Sequence, residues 1–301
     1  MKLEDIDVFV QAVQTGSLAG AARRLALSSM AASRSLNNLE AELGVRLVHR
    51  TTRALALTSD GERFLPHAQY LLEGRTNALA ELQPVGSLLT GHLRITASSA
   101  FGRIIVAPML THFMTQHPEL KVDLLTTDEQ IDIVANGIDI AIRIAPLRDN
   151  RLVARRLADN PRVLCASPDY LARQGRPRSL DDLAHHHCLT STDTTHWSFI
   201  SGAKKVNQRV NGRFAANSVE VLMEGCRGGL GIANFSLWYA EAAINKGIVT
   251  PIVLEDAEPE TLGIWAVYPT SRLVPQKVRV FKDAMVDVLT GMSVKWENAG
   301  Q

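Results

Sequence analysis

Residues 16–61 read GSLAGAARRLALSSMAASRSLNNLEAELGVRLVHRTTRALALTSDG, and this stretch decides the fold. Leu18, Ala21, Ala22 and Leu25 recur at the three- and four-residue spacing of one buried helix face. Ser17 precedes them as an N-cap. Ala26-Leu27-Ser28 leaves room only for a tight turn. A longer helix is expected from Ser29 to Leu43, with Ala32, Leu36, Leu39 and Leu43 inward and Gly44 as its stop. Upstream, Ile6, Phe9, Val10 and Val13 mark another helix, closed by Thr15-Gly16-Ser17. Three short helices with a tight turn between the second and third make a helix-turn-helix pattern.

The face opposite Ala32 and Leu36 carries Met30, Ser33, Arg34 and Asn37, with Ser28 and Ser29 at its start. This is the half of the helix that enters a major groove in such motifs, where Arg pairs with guanine and Asn with adenine. A merely solvated polar face is the competing reading. The following segment decides between them. Val45 to His49 and Ala54 to Thr58 are expected as short strands joined by Arg50, Thr51, Thr52 and Arg53. An arginine-flanked hairpin beside a helix-turn-helix is a wing, suited to phosphates or a minor groove.

The same stretch resembles the DNA-binding domain of LysR-type transcriptional regulators. The similarity lies in the Gly-Ser before the second helix, the Ala-Ala pair, the Ser-Arg and Leu-Glu…Leu-Gly of the third helix, the basic tip, and the Leu-Thr…Gly opening the next helix. Two positions depart from that pattern. Ser29 stands where the family usually has glutamine, and Met30 where it often has proline.

The rest of the composition fits this reading. Of 301 residues, 46% are hydrophobic and 21% charged, enough for two or more buried cores. The net charge is only +1, yet Ala19 to Thr58 holds six arginines against Glu40 and Glu42, a basic surplus hidden by a neutral remainder. Cys165, Cys188 and Cys226 lack metal-ligand spacing and suit a reducing compartment. No signal peptide or membrane-spanning run is read, so a cytoplasmic protein with no membrane partner is expected.

From Thr58 or Ser59 to about Gln83 a linker helix is expected. Its stripe of Leu65, Ala68, Leu72, Leu79 and Leu82 suits pairing with a second copy, although packing on the chain's own C-terminal domain competes. Pro66 and Gly74 weaken this helix, and Pro84-Val85-Gly86-Ser87 reads as a hinge.

Beyond His92 the pattern becomes strand–helix–strand. Strands are expected at His92–Ser98, Lys121–Thr127, Ile138–Ala145, Arg162–Ser167, Gly231–Asn234 and Leu262–Tyr268. Helices are expected at Phe101–His117, Glu129–Asn136, Ser218–Cys226 and around Val278, Phe281, Met285 and Val288. This alternation predicts a parallel α/β sheet. The phrases GHLRITASSAFGR, DIAIRIAPLRD, VLCASPDYLARQGRP and GGLGIAN resemble the LysR-type effector domain. The resemblance implies a multidomain chain: an all-α winged helix-turn-helix with a linker helix, then an α/β two-subdomain domain like periplasmic binding proteins. The expected limits are 1–58, 59–86 and 87–301. Within the last, one subdomain spans about 91–162 and 265–301, the other about 163–264. Ser236 stands where the family often has proline.

Ser98 and Ser99 lie between a strand and a helix N-terminus, where free N–H groups suit an anion. Thr127 ends the neighbouring strand on the same sheet edge. Arg143 faces either a ligand or a structural carboxylate. Trp197 and Phe199 offer an apolar wall, and Asn217 and Ser218 start a helix in the second half. For Arg143, Trp197, Asn217 and Ser218 a structural role competes equally.

The expected function is therefore a sequence-specific DNA-binding transcriptional regulator under small-molecule control, and not an enzyme. Its expected partners are a double-stranded operator, an effector such as an organic acid or aromatic compound, further copies in a homodimer or homotetramer, and RNA polymerase. No cofactor or metal is called for. His185-His186-His187-Cys188 lacks ligand spacing. Gly225, Gly228, Gly229 and Gly231 follow a helix and precede a strand, the reverse of a dinucleotide fingerprint. Ser191, Thr192 and Asp193 with His196 lack a nucleophile elbow.

Overall fold

The computed structural model of the chain describes residues 1–50, 55–81, 89–144, 152–192, 194–269 and 274–299. The chain forms two compact units, the first essentially residues 1–92 and the second essentially the remainder.

In the first unit, α1 (Leu3–Thr15) ends at Gly16, whose φ of 69° is the left-handed conformation of a helix C-cap. Helix α2 (Leu18–Arg24) begins under the Ser17 hydroxyl, which accepts the Gly20 N–H at 3.0 Å. Helix α3 (Ser29–Leu43) is capped in the same way by Ser28 on Ala31 N–H, at 3.1 Å, and ends at left-handed Gly44. The turn between α2 and α3 closes through Leu27 N–H to Ala22 O, 2.8 Å, with Ala26 at φ 54°. Strands β1 (Val48–Arg50) and β2 (Leu55–Leu57) pair antiparallel and are shorter than their sequence suggests.

Helix α4 (Ser59–Glu81) continues through Pro66. Its stripe is divided. Leu65, Ala68 and Leu72 pack with Ile6, Phe9, Leu36, Leu39 and Leu47 in the core of this unit, so that half is not available to a second copy. Leu79 is 54% exposed and remains available. Leu82 and the hinge residues 84–87 lie outside the described residues.

The second unit has two sheets on either side of a chain crossover. In the first lobe, β3 (Gly91–Ala97), β4 (Leu120–Thr126), β5 (Ile140–Ile144), β6 (Val153–Asn160) and, from late in the chain, β14 (Leu262–Tyr268) stand in the order β4-β3-β5-β14-β6. Strands β3 and β5 are parallel, but β14 runs antiparallel to both neighbours. The sheet is mixed, correcting the all-parallel expectation. Sequence alternation finds strands without revealing which distant strand fills the gap between β5 and β6. Short α5 (Ser99–Phe101) leads through a π-turn at Gly102–Val106 into α6 (Ala107–Gln116), and α10 (Gln276–Ala299) buries Val278, Phe281, Met285 and Leu289.

The helix expected at Glu129–Asn136 is not formed. Only a single turn is present, closed by Ile138 N–H to Ile133 O at 2.9 Å and Gly137 N–H to Val134 O at 3.1 Å, with Gly137 at φ 61°. That is a Schellman closure, and it stops the helix before a second turn is made.

The second lobe holds β7 (Arg162–Ala166), β8 (Cys188–Leu189), β11 (Ile232–Ser236) and β12 (Thr250–Ile252) in the order β12-β7-β11-β8. Helices α7 (Pro168–Gln174), α8 (Val219–Arg227) and α9 (Leu237–Asn245) accompany them. Strands β9 (His196–Ser201), β10 (Lys204–Arg209) and β13 (Glu258–Pro259) form a third small sheet.

Candidate nucleic-acid interface and ligand cleft

On α3 the expected face is open. Met30 is 73% exposed, Ser29, Arg34 and Asn37 are exposed, and Ser33 is half-buried. A methionine so exposed on a helix gains nothing from solvent, which fits a surface meeting another molecule. Ser28 spends its hydroxyl on the cap, leaving its backbone at the helix start. Arg23 and Arg24, exposed in the last turn of α2, add positive charge beside this face. Of the wing, Arg50 ends β1, while Thr51, Thr52 and Arg53 lie outside the described residues.

One structural residue escaped the sequence reading. Glu40 is buried on α3 and accepts Leu47 N–H at 2.8 Å, Val48 N–H at 3.3 Å and Arg46 NH1 at 3.3 Å. It fastens the recognition helix to the start of the wing. Its spacing of four from Leu36 was the available signal, since that places it on the inner face.

In the second unit, Ser98, Ser99 and Thr127 come together at the end of β3 and β4. Thr127 N–H donates to Ala97 O at 3.0 Å, and Thr127 Oγ1 accepts Glu129 N–H at 3.2 Å. Ser98 makes no side-chain cap. The Ser99 N–H is already taken by Asp128 Oδ1, 3.0 Å away, so an internal carboxylate occupies the start of α5.

Arg143 lies across the sheet at the same edge and is the register partner of Trp265 on β14. Arg143 NH2 and Trp265 Nε1 are both buried without an acceptor. Burial lowers the Arg143 pKa, and no carboxylate among the described residues compensates it. Among the described residues no carboxylate supports the structural reading of Arg143.

Trp197 corrects the expected cleft wall. It and Phe199 are buried among Leu164, Leu183, Ile232 and Leu254, because alternate positions of β9 face the second lobe's core. Asn217 is exposed, and Ser218 caps α8 by accepting Glu220 N–H at 3.2 Å.

Several contacts link the lobes among the described residues. Arg103 Nε and NH2 donate to Glu220 Oε1 at 3.0 and 2.8 Å, beside a recess of about 360 Å³ lined also by Val221, Glu224 and Tyr239. Phe101 meets Trp238 edge-on, with ring centroids 5.3 Å apart and planes at 86°. Beneath them Asn160, fully buried at the end of β6, accepts Trp238 Nε1–H at 2.8 Å and donates to Ser236 Oγ at 3.0 Å. Arg162 begins β7 two residues later. Burial pushes its pKa down to about 10, which leaves it protonated at neutral pH.

The histidine run has a structural use. Tyr170 Oη accepts His187 N–H at 3.0 Å and shares a hydrogen bond with His186 Nδ1, 3.1 Å away. No described helix is long and apolar enough to cross a membrane.

Comparison with known proteins places both units. Residues 3–62 match the bacterial regulatory helix-turn-helix protein model of the lysR family, and residues 86–290 match the LysR substrate binding domain. The HTH-type transcriptional regulator CrgA of Neisseria meningitidis serogroup C is 34% identical over 289 residues, 95% of this chain and 96% of that protein. The HTH-type transcriptional activator TtdR of Escherichia coli K12 is 33% identical over 281 residues, 92% of this chain and 90% of its own length. A solved structure of CrgA, described as a LysR-type transcriptional regulator, superposes with a TM-score of 0.60 at 33% identity, covering 95% of this chain and 98% of the other.

Proposed function

The chain belongs to the LysR family of transcriptional regulators, and we propose that it reads its operator through Ser28, Ser29, Met30, Ser33, Arg34 and Asn37 of α3 and the wing residues Arg50 to Arg53. It is a DNA-binding regulator and not an enzyme. The observation that supports this use of α3 most directly is its open face, with Met30, Arg34 and Asn37 outward while Ala32, Leu36 and Leu39 are buried.

The proposed divisions are residues 1–58 for DNA, 59–86 for linkage and pairing, and 87–301 for sensing. Within the sensing domain, the lobes are about 91–162 with 265–301, and 163–264. Ser98, Ser99, Thr127 and Arg143, with Asn217 and Ser218 opposite, are proposed to line the effector cleft. Closure of the cleft on an organic acid or aromatic compound would shift the population of lobe arrangements and thereby the spacing of paired DNA-binding domains. Homodimers or homotetramers, contact with RNA polymerase and a cytoplasmic setting belong to the same reading.

Arg34→Ala tests the DNA contact. If Arg34 pairs with a base, the variant loses on the order of 1–3 kcal/mol of operator affinity and relaxes sequence choice at one position. A mobility-shift titration over salt concentration reads this. Unchanged affinity and unchanged discrimination between operator and scrambled DNA refute the assignment.

A further inference from the structure

We propose that Arg162 is the anchor for an acid group of the effector, so that the small molecule sensed by this protein is an anion carrying a carboxylate or like oxyanion. The proposal rests on reading the second unit as an effector-binding domain, and it names the chemistry that domain selects.

Arg162 stands at the crossover between the lobes, two residues past the end of β6. Its Nε donates to Asn234 Oδ1 at 3.1 Å, its NH1 to Ser236 Oγ at 3.3 Å, and its NH2 to the Asn234 carbonyl oxygen. Every one of these acceptors is neutral. Arg162 is half-buried, its pKa is lowered by that burial, and among the described residues no carboxylate pairs with it. Neutral dipoles orient such a charge without cancelling it, and a cation held partly away from water gains from a counter-ion. A guanidinium has five N–H groups. Three are spent as described, which leaves two for a carboxylate, the anion its fork fits best.

The frame around Arg162 is built to hold it. Ser236 Oγ accepts from both Arg162 and Asn160, and Asn160 spends its remaining oxygen on Trp238. Trp238 meets Phe101, which shares a short helix with Ser99. A continuous set of contacts therefore joins Arg162 to the residues expected in the cleft. The start of that helix is filled by Asp128, so the positive charge for an anionic ligand must come from elsewhere. A proline at position 236 would supply no hydroxyl; the serine of this chain fixes the guanidinium by its own side chain.

The test uses the full-length protein with a panel of carboxylic acids, including acetate, succinate and benzoate, each beside its neutral amide. Thermal shift and operator affinity are the readouts. At least one acid is expected to raise the melting temperature saturably while its amide does not. Arg162→Gln should weaken that acid by roughly tenfold or more, with Arg162→Lys intermediate and Ser236→Ala several-fold weaker. Circular dichroism checks folding; if Arg162→Gln does not fold, the lysine and Ser236 variants carry the comparison. The proposal is overturned if no acid stabilises the protein, if amides match acids, if the Arg162 and Ser236 variants bind the acid unchanged, or if only Arg143→Gln loses it. A neutral compound that alters operator affinity where acids do not overturns the anchor and leaves the effector reading standing. Operator affinity insensitive to every compound counts against both.

Discussion

Replacing Glu40 by alanine removes one buried carboxylate and leaves two backbone donors without an acceptor. Leu47 N–H and Val48 N–H reach Glu40 Oε1 at 2.8 and 3.3 Å, and both residues are essentially inaccessible. An orphaned buried donor costs about 1–3 kcal/mol. The Arg46 contact adds little, because the Arg46 side chain is 70% exposed and such pairs give about 1 kcal/mol or less. Part of the loss is returned, since the carboxylate no longer has to be desolvated. The net expectation is a loss of about 2–4 kcal/mol, a large share of the 5–15 kcal/mol typical of a domain. Glu40→Gln keeps one acceptor oxygen and should lose about 1 kcal/mol. Because the chain has two units, global melting mixes their transitions. Hydrogen exchange of peptides spanning residues 44–50 and 55–61 in the full-length protein reads the effect locally. Faster exchange there in the alanine variant, with residues 93 onward unchanged, is the expected pattern. Wild-type protection in these peptides would refute the claim that Glu40 fastens the wing to α3.

Two further outcomes follow from close packing and from burial. A Cβ at Gly61 would lie 2.0 Å from the Leu47 carbonyl oxygen, a backbone atom that cannot step aside, so Gly61→Ala should destabilise the first unit by about 1–3 kcal/mol; chemical denaturation that finds no change would count against this approach of α4 to the wing. Burial pushes the thiols of Cys165, Cys188 and Cys226 up to about 12, so at pH 8 only about one in ten thousand is thiolate and native alkylation should be slow, rising with pH until unfolding exposes all three; rapid native labelling of Cys226, followed by mass spectrometry, would contradict it.

Features encoded within one segment are legible in the sequence, and those that depend on distant partners are not. Helix α3 was legible to the residue, because its apolar period, the Ser28 cap and the Gly44 stop all lie within the segment. The same holds for β14, whose Leu262–Tyr268 run is nearly all apolar. Strand β6 was missed: VARRLADN lies at the edge of its sheet, is mostly half-buried or exposed, and shows no clean alternation. Only its pairing with β14, a hundred or so residues away, identifies it. In the sequence Glu40 figures only in the charge balance of Ala19 to Thr58, while its burial follows from its four-residue spacing from Leu36. At Arg162 the sequence shows only the start of a strand, since Asn234 and Ser236 are more than seventy residues further along. Ser236 stood out as a departure from the family pattern, but what its hydroxyl holds appears only when β7 and β11 are paired.

The exposed and the buried links between the lobes differ in strength, and that difference points to a pivot. In Arg103–Glu220 two guanidinium nitrogens share one carboxylate oxygen, and the side chains are 63% and 41% exposed, so water and salt screen the pair to about 1 kcal/mol or less. The deeper link combines an edge-to-face aromatic pair, worth about 0.5–1.5 kcal/mol, with the buried Trp238–Asn160 hydrogen bond, which contributes a similar amount. Opening the deeper link also leaves a buried indole N–H and an amide oxygen unpaired, an added penalty the exposed ion pair does not carry. A rotation of the lobes would therefore break Arg103–Glu220 before the deeper link and turn about the crossover at Asn160 to Arg162. If Arg162 anchors the effector as proposed, the ligand sits at that pivot and its contacts on either lobe bias the rotation.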